Sequence, residues 1–144
     1  MSSLQPVLSA TELNDFIDEV YPQIMDQFPG HKVLVVEPGH VVVRMDTDES
    51  HLRAGGTVSG PTLFALADMG GYACVLSHVG REALAVTTNL NINFMRKAGP
   101  GPLEAHCNIQ KLGKRLMVFD AAIREVGKTD IIAHATGTYA IPPK

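Results

Sequence analysis

The segment from Gly60 to about Gly80 constrains the fold most, because it is apolar on almost every side of the helix that it predicts. A helix at a protein surface has one apolar stripe, whereas a helix without a polar side must be covered by the rest of the chain. Ser59 suits the N-cap and Pro61 the first turn, where the missing N–H of proline costs nothing. We therefore predict a central, buried helix. Its apolar residues include Leu63, Phe64, Leu66, Ala67, Met69, Ala73, Cys74 and Leu76.

Segments with strand character lie on both sides of this helix in the sequence. Two precede it and flank a hairpin turn at 37–40, and four follow it, with apolar residues alternating at period two. The six segments are 32–36, 41–45, 84–95, 103–109, 117–123 and 131–141. This order predicts an α+β fold in which a curved antiparallel sheet wraps around the long central helix. We expect the strand at 84–95 to have one apolar and one polar face.

An additional helix is predicted before the first strand. Thr11 is the predicted cap, and apolar residues from Leu13 to Met25 recur at steps of three and four until Phe28-Pro29-Gly30 ends the helix. A chain of 144 residues fits one domain. We expect a single domain over 1–144, with an N-terminal helical segment at 1–29 and the core at 30–144.

Charge and composition argue against several classes of partner. The net charge of −3 predicts no basic surface for nucleic acid or anionic membranes. No signal sequence is recognised, and no apolar run is expected to reach the ~20 residues that cross a bilayer. The two cysteines, Cys74 and Cys107, form no Cys-x-x-Cys pair, which fits a reducing compartment. We expect a cytoplasmic protein, and the six histidines show no ligand spacing that predicts a metal site.

Asp68 is an ionisable residue inside the apolar helix, with no basic residue within two helical turns. Burying an unpaired carboxylate is costly, so such a residue has either a partner or a function. Taken alone, Asp68 is equally well explained as a catalytic group, as a side chain bonded to a neighbouring strand, or as an interface residue.

The start of the same helix is a second candidate for chemistry. Free backbone N–H groups and the positive end of the helix dipole are available there, and the small Gly60 lets a ligand oxygen approach. A plain loop from Arg53 to Gly60 with a serine cap explains the same residues. The sequence pattern leaves both interpretations open.

These residues resemble a known family. Ser59-Gly60-Pro61, then Leu66-Ala67-Asp68, and later Asn91-Ile92-Asn93-Phe94-Met95-Arg96 are similar to the motifs of hotdog-fold acyl-CoA thioesterases of the phenylacetate-pathway (PaaI-like) branch. The family motif reads His-Gly-Gly, four variable residues, then Leu-Ala-Asp or Leu-Ala-Glu, and a strand ending in Asn-Phe-Leu-Arg-Pro-Ala follows. The resemblance covers about residues 30–142. It implies the hotdog fold and hydrolysis of a thioester to a free acid and CoA.

The resemblance also implies roles for individual residues. The N–H of Gly60 would polarise the thioester carbonyl, and Asp68 would act as nucleophile or as general base on water. Arg53 stands where many members have a polar contact, and Thr87 where some members place a hydroxyl that positions the water. This sequence departs from the family in having Ser59 in place of the histidine and Pro61 in place of the second glycine. The thioester sulfur thereby loses a potential hydrogen-bond partner.

Helix geometry adds a requirement for self-association. Gly60 and Asp68 are eight residues apart, which places them ~12 Å apart along one helix axis. If both act on one carbonyl, they must come from different subunits of a symmetric dimer. We expect a homodimer or a dimer of dimers that needs no cofactor. Phosphates of CoA are expected to meet basic residues in turns, namely Arg96, Lys97, Lys114 and Arg115.

Two other functions remain open at this point. Ser59 in place of histidine favours a hotdog protein that binds an acyl thioester without hydrolysing it. A hotdog hydratase or dehydratase is disfavoured, because no histidine lies near Gly60 or Asp68 in sequence. The acyl group is not identified; Phe64, Met69 and Tyr72 are candidates for its pocket, and core packing explains them equally well.

Overall fold

The computed structural model describes residues 4–143, and in this range six strands form one antiparallel sheet around the longest helix. The helices are α1 (Ala10–Val20), α2 (Ile24–Gln27) and α3 (Gly60–Val79), with one 3₁₀ turn at Glu49–His51. The strands are β1 (Lys32–Glu37), β2 (His40–Thr47), β3 (Val86–Phe94), β4 (Gly101–Leu112), β5 (Leu116–Glu125) and β6 (Ile131–Ala140). Their order in the sheet is β1-β2-β4-β5-β6-β3. The predicted α+β architecture is confirmed.

Helix α3 is the centre of the core, as its apolar sequence predicts. It begins at the Ser59 cap with Pro61 in its first turn, and it packs against strands β2 to β6. Gly70 and Gly71 let the helix approach the sheet, since a Cβ at either position would overlap Cys107 or Phe119. The close approach buries most of the helix and leaves little free volume between the two layers.

The length of α3 corrects one sequence-based expectation. Its 20 residues are long and apolar enough to cross a membrane by length and composition alone, contrary to the prediction that no run would be. However, 67% of its most apolar stretch is buried inside the fold. The strands, rather than lipid, cover its apolar surface.

The alternating residues of the strands form the second half of the core. One row across the sheet joins Val43, Ala105, Ile123 and Ala133, which pair in that order from β2 to β6. All four are fully buried. This confirms the predicted inward-facing positions, because side chains two residues apart on a strand share a face.

The N-terminal helix differs from its prediction in two respects. Its cap is Ser9, which exchanges hydrogen bonds with Glu12 in a capping box, so the expectation for Thr11 is wrong. The helix also ends at Val20, because Tyr21 precedes Pro22 and leaves the helical region with φ −136° and ψ 62°. The predicted single helix is therefore two, α1 and the short α2.

Strand β3 lies at one edge of the sheet and is paired only with β6 among the described residues. The prediction of one apolar face is wrong, because a register shift in the pairing with β6 puts Val86 on the opposite face from Leu90 and Ile92. Leu90 and Ile92 are partly buried against the core, whereas Val86 and Phe94 are each 56% exposed. Long exposed strand edges are sites where another chain can pair, and the two ends of β3 offer apolar surface for such a contact.

The buried side chain of His31, next to β1, is expected to make the free energy of unfolding fall at acid pH. Burial lowers the pKa of this side chain to about 4, and its Nε2 has no partner among the described residues. The folded protein therefore keeps His31 neutral, while the unfolded chain takes up a proton near pH 6.5. The free energy of unfolding is therefore unaffected by His31 above pH 6.5. It declines as the pH falls toward 4, by about 2 to 3 kcal/mol for this residue.

Urea unfolding of the wild type and of His31→Leu at pH 7.5 and 4.5 measures this effect. We expect the variant to lose about 2 to 3 kcal/mol less than the wild type between the two values, because leucine binds no proton. Equal losses in the two proteins would assign the acid sensitivity to other groups. His78, whose pKa burial also lowers, is the first of these to test.

Candidate active site

Asp68 lies in the middle of α3 and is held by side chains from two paired strands. Thr87 on β3 donates a hydrogen bond to its Oδ1 at 2.5 Å, and the Tyr139 hydroxyl on β6 lies 2.8 Å from the same oxygen. Thr87 and Tyr139 are direct partners in the register of β3 with β6. The sheet therefore presents two hydroxyls to one carboxylate oxygen.

The protonation of Tyr139 fixes the direction of its hydrogen bond. Burial, and secondarily the charge of Asp68, raises the pKa of this phenol far above its usual range. Tyr139 is thus a neutral donor, and it also lies 2.8 Å from the backbone oxygen of Asp68. The second carboxylate oxygen, Oδ2, accepts no hydrogen bond from residues 4–143.

A cavity of about 460 Å³ opens beside Asp68. Its walls come from α3, from the chain just before β3, from β6 and from the N-terminal helices. The lining residues are Val20, Tyr21, Gln23, Phe28, Ala65, Asp68, Met69, Tyr72, Ala83, Leu84 and Tyr139. Asp68 is the only acidic or basic side chain among them. A carboxylate with a free oxygen beside a cavity can act as a base or as a nucleophile.

Gly60 lies in a different cavity at the start of α3, with a volume of about 520 Å³. The amides of Thr62 and Leu63 bond to Ser59, and Pro61 has no N–H. The Gly60 N–H, by contrast, donates to no group in the described chain. It is a free donor at the positive end of a long helix, which suits a developing oxyanion.

Ser59 serves the helix in this structure. Its hydroxyl lies 2.8 Å from that of Thr62 and caps the first turn. Two other predicted site residues, Gly60 and Arg53, line the cavity at the start of α3. The fold brings Arg53 there through a turn in which Gly55 and Gly56 adopt positive φ, while the Arg53 N–H bonds to the Thr57 carbonyl.

The predicted site residues therefore divide into two groups within one subunit. Asp68 and Thr87 belong together, and Gly60, Ser59 and Arg53 lie around the start of α3. Gly60 and Asp68 line separate cavities, in agreement with their ~12 Å separation along the helix. A single chain does not bring the free N–H and the carboxylate to one point.

The basic residues predicted to meet CoA also divide into two groups. Arg96 and Lys97, which follow β3, line the Gly60 cavity together with Arg53. Lys114 and Arg115 lie in the β4–β5 turn and line another cavity beside Ile141. In one subunit only the first group lines the Gly60 cavity, while Arg115 lines a cavity with Leu84 and Val86 beside Thr87.

Tyr139 is a site residue that sequence reasoning missed. It lies in the predicted strand 131–141, where its neighbours on the buried face include Ala133, Ala135 and Gly137. A tyrosine on a face of small buried residues needs a partner for its hydroxyl. That requirement was a usable signal, but the identity of the partner depends on register.

Comparisons with known proteins agree with this architecture. Residues 55–131 match the thioesterase superfamily. A Silicibacter protein provisionally named a thioesterase is 42% identical, with a TM-score of 0.87 over 97% of this chain and 96% of the other.

Two further relatives are more distant. A Pseudomonas aeruginosa protein provisionally named an esterase is 38% identical over 71% of this chain and 75% of its own length. A variant of the phenylacetic acid degradation protein PaaI from Thermus thermophilus is 28% identical, with a TM-score of 0.69 over 83% of this chain and 98% of the other.

Proposed function

The chain belongs to the thioesterase superfamily and is a thioester hydrolase with the hotdog fold, and on that premise we propose that it cleaves acyl-CoA to the free acid and CoA. The observation that supports this most is the environment of Asp68. Its Oδ1 is held by Thr87 and Tyr139, while Oδ2 accepts no hydrogen bond from residues 4–143 and lies beside a cavity. A thioester is already activated toward attack, so a carboxylate and an N–H donor are a sufficient apparatus.

In the proposed reaction Asp68 acts in one of two ways. Its free oxygen attacks the thioester carbon and forms an anhydride that water then hydrolyses, or it removes a proton from a water that attacks directly. The carbonyl oxygen gains negative charge in both cases, and the Gly60 N–H of another subunit stabilises it. The C–S bond breaks, and CoA leaves as a thiolate that takes up a proton.

The proposed site is shared between two copies of the chain. Gly60 and Asp68 line separate cavities, and β3, which carries Thr87, is an edge strand with Val86 and Phe94 exposed. A two-fold axis next to β3 would cover Val86 and Phe94 and bring each Gly60 to the Asp68 of the partner. We propose a homodimer or a dimer of dimers with two equivalent sites per dimer.

The CoA portion is proposed to lie on the Gly60 side of the site. Arg53, Arg96 and Lys97 line that cavity, and their charges suit phosphate groups. Lys114 and Arg115 remain candidates for the same role from another subunit. We also propose a reducing, cytoplasmic location, which the two free, buried thiols of Cys74 and Cys107 support.

Thiol release from matched thioesters tests this proposal. We expect hydrolysis of acyl-CoA with a higher kcat/KM than hydrolysis of the same acyl-pantetheine, which has the thioester but no phosphates. The advantage should shrink as salt is added, because it depends on charge. Equal rates would contradict recognition of CoA phosphates. Binding of acyl-CoA without thiol release would instead support a non-hydrolytic acyl-thioester protein.

A further inference from the structure

The cavity beside Asp68 has a wall that the catalytic part of the chain does not supply. Val20, Tyr21, Gln23 and Phe28 all come from the N-terminal helical segment, which lies outside the residues that match the thioesterase superfamily. The opposite wall comes from α3 and from the residues before β3, namely Ala65, Met69, Tyr72, Ala83 and Leu84. The segment thus borders the space next to the catalytic carboxylate.

We propose that residues 20–28 form one wall of the acyl pocket and that they select bulky apolar acyl groups over short ones. This inference rests on the proposed function, because it assigns the cavity to the acyl part of the thioester. In either mechanism the carbon next to the carbonyl lies close to the Asp68 oxygen. The acyl group must therefore extend into space that borders Asp68.

Charge distinguishes the acyl side of the site from the CoA side. No lysine, arginine or histidine lines the Asp68 cavity, whereas Arg53, Arg96 and Lys97 line the Gly60 cavity. Phosphates would be unfavourable beside an unneutralised carboxylate, but an apolar chain would not. The two cavities are thus suited to the two ends of one acyl-CoA.

Somewhat more than half of the surface of the Asp68 cavity is apolar, although three tyrosines line it. The Tyr21 hydroxyl bonds to Gln27 at 3.0 Å, the Tyr72 hydroxyl donates to the Ala83 carbonyl at 3.0 Å, and the Tyr139 hydroxyl donates to Asp68. The three hydroxyls are therefore satisfied within the protein. Leu84 is 80% exposed and Val20 is 37% exposed at the two walls. A bulky acyl group would cover this apolar surface, and removing that surface from water favours binding.

The N-terminal segment is held firmly enough to act as a wall. The Asn14 side chain makes two hydrogen bonds of 2.9 Å to the backbone of Val33 on β1. Upstream, the Val7 N–H donates to the Ser77 carbonyl near the end of α3 at 2.6 Å. Leu13 and Ile24 are buried in the core from α1 and α2. These contacts fix the position of residues 20–28 relative to Asp68.

Two substitutions in the same segment test the assignment. Val20→Trp places a large ring in the cavity at a partly exposed position, and Met25→Trp is its matched control, since Met25 is exposed but does not line the cavity. Leu84→Trp, on the opposite wall, is a second filling variant. The probes are the non-hydrolysable thioethers S-octyl-CoA and S-ethyl-CoA, measured by calorimetry, and kcat/KM for octanoyl-CoA and acetyl-CoA.

We expect the wild type to bind S-octyl-CoA at least ~10-fold more tightly than S-ethyl-CoA, and Val20→Trp to weaken S-octyl-CoA binding by about 10-fold or more. Binding of S-ethyl-CoA should change by less than about two-fold, and Met25→Trp should affect neither probe. If Val20→Trp weakens binding of both probes equally, or weakens neither, the assignment of residues 20–28 to the acyl pocket is overturned.

The two proposals fail in different ways. If the wild type prefers S-octyl-CoA and Val20→Trp removes the preference, the pocket assignment stands even if no thiol is released from octanoyl-CoA. In that case only the hydrolytic function fails. If thiol is released but neither filling variant changes the ratio of octanoyl-CoA to acetyl-CoA turnover, hydrolysis stands and the pocket assignment fails.

Discussion

Replacing Asp68 with asparagine is expected to lower kcat by about 10²- to 10⁴-fold, the range that a positioned general base contributes. The amide oxygen can still accept hydrogen bonds from Thr87 and Tyr139, which lie 2.5 and 2.8 Å from Oδ1 in the wild type. The fold and the cavity should therefore persist, and KM should change little. What is lost is the basic, nucleophilic oxygen. Thiol release under saturating acyl-CoA measures the effect.

Asp120→Asn is the matched control for this substitution. Asp120 is a half-buried aspartate on β5 that bonds to Gln110 and His134, and it does not line the cavity of Asp68. Its variant should keep kcat within about two-fold, because Asp120 contacts none of the residues that hold Asp68 and an asparagine can keep its hydrogen bonds. Full activity of Asp68→Asn would remove this carboxylate from the mechanism.

Water labelled with ¹⁸O and trapping of the acyl-enzyme together distinguish the two proposed roles of Asp68. In a single turnover with excess enzyme, label in the Asp68 side chain identifies nucleophilic attack, because it enters only when water opens the anhydride at the Asp68 carbon and an enzyme oxygen leaves with the acid. General-base catalysis puts the label in the acid, as does opening of the anhydride at the acyl carbon, and only the anhydride route gives an acylated Asp68 peptide after rapid quenching. Mass spectrometry of the peptide that contains Asp68 and of the released acid records where the label goes.

Two inactive variants are expected to restore activity when they share a dimer. Asp68→Asn lacks the carboxylate, and Gly60→Pro lacks the N–H that points into the other cavity. A mixed dimer contains one site with both groups intact and one site with neither. Random pairing makes half of the dimers mixed, so co-expression should recover about a quarter of wild-type activity.

The controls for this experiment use the same two positions. Each variant expressed alone should stay at least ~100-fold below the wild type, as expected when one oxyanion donor or the base is lost. Gly60→Ala keeps the N–H and should retain more activity than Gly60→Pro. Gly60→Val is a second blocking variant: a Cβ here would lie 3.2 Å from the Phe94 ring, which alanine needs to displace only slightly, while the two methyl groups of valine extend further. No recovery in purified mixed dimers would show that each site lies within one subunit.

The amino-acid sequence was sufficient for the architecture and for the main candidate residues. The apolar surface of α3 on all sides and the period-two strands are local patterns, and only a central helix under a sheet satisfies both. Asp68 and Gly60 stood out for local reasons too, one as a charge in an apolar helix and the other as a glycine at a helix start. Thr87 was singled out only through the family resemblance; its hydroxyl donates to Asp68, and its predicted role in positioning water stays a prediction.

The tertiary structure decided which distant residues meet. Tyr139 reaches Asp68 because β6 pairs with β3 in one register, and a shift of one residue would turn its side chain to the other face. Tyr21 and Phe28 likewise border the Asp68 cavity for a tertiary reason, namely that α1 and α2 dock beside α3. Local periodicity specifies which face of an element is buried. Which elements face each other depends on packing between segments far apart in the chain, and no local pattern encodes that.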